Sequence, residues 1–367
     1  MEKQGAEYRA PGKLVLLGEY AVLGGTPALV VALDRHAYCR RVDGGDAQRG
    51  HELGVALRVD AGIHGSLSWP ADRDVERLPL VRGLLARLTD PPPGEYHLDS
   101  DALYGDTLYG DTLYGDTLHG NTPVGRRKLG LGSSAASTVA LAAALRGDGV
   151  LDDDARRAIY RLVQTVHREV QGLGSGVDVA AASLGGALAY RWVEDQAKAP
   201  PDGLETADGV GHAEVLPRSS HPIRAVWSGD SASTASLARL VAAWGKRDPA
   251  GLQRRMADLS MAAQLGIDAW RGGDREALVA AAEAGRHAID ALGRDAGIAL
   301  LTETHVALHD LAARHSAGVK PTGAGGGDLA WLYAEDPDAE VAAAKALVEA
   351  GHLVLELGIA NGVERVG

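Results

Sequence analysis

The sequence predicts an α+β protein with two lobes, and three observations support this fold class. Short apolar runs separated by glycine turns, which are typical of strands, occupy the beginning of the chain. After Ser133 alanine and leucine recur at helical spacing, and an apolar run follows the last helical segment. The 367 residues also exceed the size at which one hydrophobic core usually keeps growing. A proline- and charge-rich stretch near 199–221 suggests the boundary, so we expect an N-terminal lobe over 1–215 and a C-terminal lobe over 216–367.

The elements can be placed in chain order from these patterns. Strands are predicted at 14–17, 29–33, 54–59 and 66–69, with a later one at 329–333 and a last one at 353–359. Helical periodicity predicts helices at 134–145, 152–171, 233–244, 252–269, 276–292, 302–315 and 336–350.

Composition and charge exclude several classes of function. The formal net charge of −12 argues against nucleic acid or an anionic membrane as the main partner, so an anionic substrate needs a local basic pocket. The single cysteine, Cys39, cannot form an internal disulfide or a multi-cysteine metal site, and it fits a reducing compartment. No apolar run reaches about 18 residues, and the first residues lack the apolar stretch of a secretion signal. We expect a cytoplasmic protein that binds neither nucleic acid nor membrane.

A tandem pentapeptide repeat occupies 101–120, where four copies read Asp-(Ala/Thr)-Leu-(Tyr/His)-Gly. Four short copies cannot bury a core of their own, because stacked repeat folds need several complete turns. A glycine in each copy suits an extended loop, and loops tolerate insertions. We interpret the repeat as an expanded surface loop, poorly ordered or an exposed hairpin, rather than a dedicated binding element.

The strongest chemical signal is the string KLGLGSSAAS at 128–137, which runs directly into an alanine-rich helix. A glycine turn lets backbone amides approach an anion, and the helix behind it offers unpaired N–H groups and a partial positive charge. The string is not a Walker A loop, which needs Gly-Lys-Ser/Thr. It does not fit the Rossmann fingerprint, because 121–127 is no apolar strand. Taken alone, it is either a phosphate-binding loop or an ordinary glycine turn before a helix.

Three further strings combine glycine turns with charged or polar residues: APGKLVLLGEY at 10–20, QGLGSGVD at 171–178 and KPTGAGGGD at 320–328. In the first, Lys13 begins an apolar strand, where it is either a functional cation or a solvated strand-end charge. In the second, Asp178 opens a helix, where it is either functional or an ordinary N-terminal helix charge. The consecutive glycines of the third cost folding entropy, which indicates that the backbone passes close to another group.

Together the four strings resemble the ordered motif set of the GHMP kinases, a family that includes galactokinase, homoserine kinase, mevalonate kinase and phosphomevalonate kinase. The resemblance covers 10–328, nearly the whole chain. It implies an N-terminal lobe with a ribosomal protein S5 domain 2-like fold and a C-terminal lobe with a ferredoxin-like fold. It also implies ATP with Mg²⁺ as cofactors and a small molecule as phosphoryl acceptor.

The resemblance also gives each motif a role. Lys13 and Asp178 match the family's catalytic positions, Lys13 to neutralise the transferred phosphoryl group and Asp178 at the place of the catalytic base. ATP binding is expected at Lys128, Gly130, Leu131, Gly132, Ser133, Ser134 and Ala135, with Ser134 also the Mg²⁺ ligand. Substrate binding is expected at Glu19, Tyr20, Ser175, Gly176, Lys320, Thr322, Gly323, Ala324, Gly325 and Gly326. Candidates for the anionic groups of the substrate, by placement, are Lys128, Arg168 and Lys320.

Finer differences resemble the phosphomevalonate kinases more than the mevalonate kinases, which usually read Gly-Glu-His and Pro-Ser-Gly-x-Asp at two of these motifs. Here the strings are Gly-Glu-Tyr at 18–20 and Gly-Ser-Gly-Val-Asp at 174–178; the aspartate that ends 323–328 and the string WSGDSAST at 227–234 agree. His167 stands where mevalonate kinases carry a Mg²⁺-binding glutamate, eleven residues before the catalytic aspartate. Glu169 is no simple substitute, because it lies about 200° further round the helix.

The expected reaction is transfer from ATP to 5-phosphomevalonate, which gives ADP and 5-diphosphomevalonate. The second pKa of a phosphomonoester is about 6, so the acceptor oxygen is already ionised at pH 7 and a strong base is hardly needed. Asp178 then orients Lys13 or a metal-bound water. Mevalonate kinase, another GHMP kinase and a non-catalytic GHMP-fold ligand sensor remain alternatives, and the sequence does not specify an oligomeric state.

Overall fold

A computed structural model describes residues 4–42, 55–60, 66–69, 78–88, 91–105, 127–147, 149, 151–171, 174–194, 204–206, 209–219 and 222–366. Within these residues the chain forms two main sheets with helices around them. No helix among them combines the length and apolar character needed to cross a membrane.

The first sheet contains nine strands: β1 Gln4–Leu17, β2 Ala28–Val42, β3 Val55–Asp60, β4 Ser66–Trp69, β5 Gly94–Asp99, β8 Ala187–Val193, β9 Leu204–Thr206, β10 Gly209–Leu216 and β15 Glu364–Val366. Seven of them lie in the order β4-β3-β5-β2-β8-β10-β9, and β1 pairs with both β2 and β15. All pairs are antiparallel except β3 with β5. Two short strands, β6 Tyr104–Gly105 and β7 Arg127–Lys128, form a separate pair.

Four helices pack with this sheet: α1 Pro79–Leu85, α2 Ser133–Arg146, α3 Asp153–Gln171 and α4 Val177–Leu184. The side chains of its central strands alternate between two cores, as strand geometry requires. Val30 and Ala32 pack with the helices, whereas Leu29 and Val31 pack toward the second sheet. The first sheet therefore lies between its own helices and the C-terminal half of the chain.

The second sheet is antiparallel, in the order β12 Ala317–Pro321, β13 Leu329–Ala334, β11 Ile223–Trp227 and β14 Val354–Leu357. Its helices are α5 Thr234–Arg247, α6 Pro249–Gly272, α7 Arg275–Ala296, α8 Glu303–Ala313 and α9 Pro337–Glu349. Ala330 and Leu332 share a core with α8 and α9, while Trp331 and Tyr333 share one with α6, α7 and the first sheet.

The predicted α+β, two-lobed fold is confirmed, and most predicted elements are present with shifted ends. β1 and β2 extend well beyond 14–17 and 29–33, because pairing on both sides stabilises their polar ends. In the two main sheets, strands β5, β8, β9, β10, β11, β12 and β15 were not predicted. Strands β10 and β12 contain glycine or charged residues, which weaken a local strand signal. The division at 215/216 stays a prediction, and β15 brings the end of the chain back to the first sheet.

The pentapeptide repeat needs a correction for its first copy, 101–105. Leu103 and Tyr104 are buried rather than on a surface loop, because the copy folds as a short 3-10 turn followed by β6. The other three copies, 106–120, lie outside the described residues.

Candidate active site

The glycine turn before α2 presents backbone groups at the start of a helix. Gly130 and Gly132 both have positive φ angles, 79° and 77°, which glycine adopts without the cost that a Cβ would add. Gly132 is the N-cap residue, and no side chain of the described residues caps α2. The N–H groups of the first turn are therefore left for another acceptor.

The two serines of this turn have different surroundings. Ser133 is buried, and its hydroxyl donates to the Tyr104 hydroxyl at 3.1 Å. Ser134 is exposed, so its hydroxyl can reach a ligand outside the helix. Leu131 and Ala135 are buried, which leaves only their backbone groups for ATP binding. The side chain of Lys128 lies outside the described residues.

Lys13 and Asp178 meet at this turn. The Lys13 ammonium donates to the carbonyl oxygen of Gly130 at 3.1 Å, and the Lys13 backbone N–H donates to that of Leu131 at 2.9 Å. A methyl group added at Gly132 would lie 3.2 Å from Cε of Lys13 and 3.7 Å from Cβ of Asp178. The structure thus brings the two predicted catalytic side chains close to one glycine.

Asp178 lies in the first turn of a second helix that begins at glycine. Gly176 is the N-cap residue of α4 with φ 76° and offers no side chain of its own, and the Ser175 hydroxyl accepts from the N–H of Val177 at 3.4 Å. The Asp178 carboxylate accepts a hydrogen bond from the N–H of Val179 at 3.0 Å. This bond holds the carboxylate close to the helix terminus, where its charge is stabilised.

Helix α3 holds the turn that carries Asp178. The Arg168 guanidinium donates to the Gly174 carbonyl at 3.1 Å and stacks on the Trp192 ring, 4.6 Å from its centroid. The Tyr190 hydroxyl donates to the Ser175 carbonyl and lies 2.8 Å from the Tyr160 hydroxyl. Ser175 itself is buried, so its hydroxyl is not exposed for the predicted contact with the substrate.

Two more α3 residues underlie both glycine turns. A methyl group added at Gly176 would lie 2.4 Å from the side-chain amide of Gln164. His167 is buried and lies close enough to Asp178 to sense its charge. Burial lowers the pKa of His167, and Asp178 and the Ser134 backbone oppose only part of this, so the imidazole is neutral at pH 7. The sequence analysis noted His167 but missed Gln164.

The fourth string meets the first turn through Asp328. A methyl group added at Gly130 would lie 2.8 Å from Cβ of Asp328, a residue with φ 58°. The Asp328 N–H donates to the Asp230 carbonyl at 2.7 Å, and its carboxylate accepts from the N–H of Ala232 at 3.4 Å. The sequence analysis used Asp328 only as a mark of the subfamily and did not place it in the site.

The glycine loop at 323–326 is fixed by backbone contacts. The Tyr20 hydroxyl donates to the Ala324 carbonyl at 2.6 Å, and the N–H of Gly323 donates to the Val15 carbonyl at 3.3 Å. A Cβ at Gly325 would lie 2.5 Å from the Leu300 carbonyl oxygen, and one at Gly326 would lie 2.9 Å from Leu237. A Cβ at Gly323 would meet nothing within 4 Å, so of these three glycines it alone has room for a ligand beside it.

Glu19 and Lys320 form an ion pair whose side chains are 1% and 0% exposed. The ammonium also donates to the Pro321 carbonyl at 2.9 Å. Burial raises the pKa of Glu19, and Lys320 opposes that shift. We predicted that both residues contact the substrate, but their side chains face each other and join the first and fourth strings. Thr322 is likewise buried and donates to the Leu329 carbonyl at 2.6 Å.

This arrangement suits an anion with several phosphate groups. The N-termini of α2 and α4, which both begin at glycine, and the Lys13 ammonium supply positive potential, and Asp178 supplies a carboxylate beside them. The exposed Ser134 hydroxyl and the Asp178 carboxylate are oxygen ligands of the kind that Mg²⁺ prefers. The described residues contain no cluster of three or more His, Cys, Asp or Glu that could hold a metal by itself.

Comparisons with known proteins agree with this geometry. The family model described as GHMP kinases N terminal domain matches residues 112–186. Phosphomevalonate kinase of Streptomyces sp. (strain CL190) is 33% identical over 350 residues, which cover 89% of each chain.

Two solved structures share the fold. The Lin0012 protein of Listeria innocua has a TM-score of 0.77 at 21% identity and covers 98% of this chain and 99% of its own. Phosphomevalonate kinase of Streptococcus pneumoniae, solved with phosphomevalonate and AMPPNP, has a TM-score of 0.68 at 16% identity and the same coverage.

Proposed function

This chain belongs to the GHMP kinase family, and we propose that it transfers the γ-phosphoryl group of ATP to 5-phosphomevalonate, giving ADP and 5-diphosphomevalonate. The observation that carries the proposal is the convergence of Lys13 and Asp178 on Gly132, at the start of an uncapped helix. The relative that covers most of the chain at 33% identity is a phosphomevalonate kinase, which supports this acceptor. The reducing cytoplasm, which suits the buried thiol of Cys39, is the proposed compartment.

The ATP phosphates would lie against the N–H groups of the turn at 130–135. Because the side chains of Leu131 and Ala135 are buried, binding at this turn depends on backbone groups. Gly130 and Gly132 have positive φ angles, so a residue with a Cβ at either position would disturb the turn. The Ser134 hydroxyl would hold Mg²⁺, which neutralises phosphate charge when bound. Ser133 contributes its N–H, since its hydroxyl is engaged with Tyr104.

Lys13 would neutralise the charge that builds on the transferred phosphoryl group. Its anchor at the Gly130 carbonyl fixes the ammonium beside the turn, so little reorganisation is needed as the reaction proceeds. Asp178 positions Lys13 and the acceptor rather than removing a proton, because the acceptor phosphate is already ionised at pH 7. Its bond from Val179 keeps the carboxylate oriented for this task.

The substrate's own anionic groups need basic partners, and two of the three predicted candidates can be compared, because the side chain of the third, Lys128, lies outside the described residues. Lys320 is fully buried and paired with Glu19, so it stabilises the contact between the first and fourth strings rather than binding the substrate. Arg168 is partly exposed and holds the Gly174 carbonyl, so it stabilises the turn next to the acceptor. Gly323 has open space beside it, which leaves room for part of a ligand at this turn.

A coupled assay of ADP release tests the proposal with 5-phosphomevalonate, mevalonate and galactose as separate acceptors. We expect rapid turnover with 5-phosphomevalonate only, and 5-diphosphomevalonate as product by ³¹P NMR. Turnover with mevalonate instead would identify a mevalonate kinase. Tight binding of 5-phosphomevalonate without any ADP release would identify a ligand sensor, and either result would contradict the proposal.

A further inference from the structure

The residue after Glu19 has a strained backbone conformation. Tyr20 has φ 60° and ψ −47°, and the N–H of Ala21 donates to the Glu19 carbonyl at 2.6 Å. A hydrogen bond across one residue with a positive φ makes a γ-turn of the rare, strained kind. Strain of this kind persists only where surrounding contacts hold it, and it is most frequent at functional sites. The contacts of this turn therefore indicate what the strain serves.

Two side chains of the γ-turn join it to the segment that contains the glycine loop at 323–326. The Tyr20 hydroxyl donates to the Ala324 carbonyl at 2.6 Å, and Tyr20 is buried. The Glu19 carboxylate pairs with the buried ammonium of Lys320, which lies on β12 just before the loop. The end of β1 is thus fixed at two points to the strand and loop that follow one another at the site.

The glycine loop extends from β1 to the turn before α2. At its start, the N–H of Gly323 donates to the carbonyl of Val15 at 3.3 Å. Val15 lies two residues after Lys13, which is about 7 Å along an antiparallel strand. Beyond the end of the loop, Asp328 lies against Gly130, where an added Cβ would be 2.8 Å from the Asp328 Cβ. The loop therefore borders the site from the strand that carries Lys13 to the turn before α2.

The two ends of this segment suit different ligands. Asp328 lies at the turn proposed for the ATP phosphates, whereas Gly323 lies at the opposite end of the segment. A Cβ added at Gly323 would meet no atom within 4 Å, so there is open space beside it. Lys13, whose ammonium reaches the Gly130 carbonyl, lies between the two ends. The open space at Gly323 is therefore on the side of Lys13 that the acceptor would occupy.

We propose that Tyr20 is a positioning residue for the phosphoryl acceptor, because its hydroxyl holds the Ala324 carbonyl and so keeps the loop beside Gly323 in the shape that the acceptor contacts. The inference rests on the proposed function, since it assumes that the site phosphorylates a small acceptor. Tyr20 then acts through the loop, and not as the direct substrate contact that the sequence predicted. The strained γ-turn has a role in this arrangement, since it presents the tyrosine ring to the loop.

Steady-state kinetics of Tyr20→Phe tests the inference, because this change removes the hydroxyl and keeps the aromatic ring. Without its donor, the Ala324 carbonyl no longer fixes the loop. We expect KM for 5-phosphomevalonate to rise about tenfold, which corresponds to about 1.4 kcal/mol, the order of one lost hydrogen bond. Both kcat and KM for ATP should stay within about twofold of the values for the unaltered protein.

Tyr96→Phe is the matched control. The Tyr96 hydroxyl also donates to a backbone carbonyl, that of Pro92 at 2.5 Å, and Tyr96 is fully buried. It belongs to the core between the first sheet and its helices, away from the glycine loop. This variant should lose stability without a change in either KM. Thermal unfolding of both variants shows whether each remains folded at the temperature of the assay.

Hydrogen exchange of the glycine loop without ligands gives a second readout. The N–H groups of Gly323 and Gly326 donate to backbone carbonyls outside the loop, so their exchange reports how often the loop opens. Tyr20→Phe should speed exchange at both amides, and Tyr96→Phe should not. A higher acceptor KM with unchanged loop exchange would make the Tyr20 hydroxyl a direct substrate contact and overturn the inference.

The remaining outcomes separate this inference from the proposed function. An unchanged acceptor KM in a folded Tyr20→Phe protein would overturn the inference alone, and so would an equal rise in KM for ATP. If the unaltered protein phosphorylates another acceptor instead of 5-phosphomevalonate, the proposed function fails, and the same comparison with that acceptor decides the inference. If the unaltered protein phosphorylates no acceptor, both fail.

Discussion

Helices around the candidate site and helices in the C-terminal half begin in different ways. Helices α5 to α9 are each capped by their own side chain: Ser233, Asp248, Asp274, Thr302 and Asp336 accept from an N–H of the first turn. Helices α2 and α4 begin at a glycine in the left-handed conformation, so their N-cap residue supplies no side-chain bond. At α4 the Ser175 hydroxyl and the Asp178 carboxylate accept from first-turn N–H groups instead.

At α2 the glycine N-cap leaves first-turn N–H groups for a ligand. A side-chain cap contributes about 1 kcal/mol, so its absence at the start of α2 is a cost that an anion can offset. Lys13 and Asp178 lie at the starts of α2 and α4 and at none of the capped ones.

Lys13→Met should lower kcat by about 10³-fold, because it removes a fixed positive charge beside the transferred phosphoryl group. Steady-state kinetics with 5-phosphomevalonate measures the loss. Lys246→Met, at the exposed end of α5, is the matched control and should keep normal kcat. A near-normal kcat in Lys13→Met would remove this residue from the site.

Asp178→Asn should lower kcat by about 10²-fold at most, less than the loss of Lys13, because the acceptor needs orientation rather than a strong base. The same assay compares the two variants directly. A larger loss in Asp178→Asn than in Lys13→Met would indicate that Asp178 takes a proton in the rate-limiting step.

Ser134→Ala should raise the Mg²⁺ concentration needed for half-maximal rate about tenfold, with acceptor KM unchanged. Its hydroxyl is exposed at the uncapped end of α2, so the change should cost little stability. A Mg²⁺ titration of both proteins shows the shift. Identical Mg²⁺ curves would place the metal on another group.

Asp274→Ala tests the opposite region. It removes the cap of α7, where the carboxylate accepts from the N–H of Ala277 at 2.9 Å. The free energy of unfolding should fall by about 1 kcal/mol, and KM for ATP should stay the same. Urea unfolding and steady-state kinetics give the two numbers. A rise in KM without loss of stability would contradict the contrast between capped and uncapped ends.

Deletion of 106–115, two whole copies of the repeat, should change KM for ATP by less than about threefold, or ~0.7 kcal/mol. Each copy adds an aspartate, whose negative charge would repel phosphate at close range. No copy adds a lysine or arginine. Their structure lies outside the described residues. A tenfold rise in KM would show that the segment closes over the nucleotide.

The sequence predicted the local features of the site better than its distant contacts. Glycine turns before helices are local, so the starts of α2 and α4 were predictable. The pairing of Lys320 with Glu19 depends on where β12 lies against the first sheet, and no local pattern contains that information. Gln164 had a signal that was overlooked: positions 160, 164 and 167 share one face of α3 at helical spacing, and all three are polar.

Hydrogen exchange at the helix N-termini shows whether the ligands bind at the glycine starts of α2 and α4 and not at the capped starts of other helices. We would compare amide exchange with and without AMPPNP, Mg²⁺ and 5-phosphomevalonate in the first turns of α2, α4, α6 and α7. We expect the ligands to protect the amides of 130–136 and 174–179 strongly and to leave exchange unchanged at the capped starts of α6 and α7. Equal exchange at α2 and α4 with and without these ligands would contradict the claim that their glycine starts form the phosphate site.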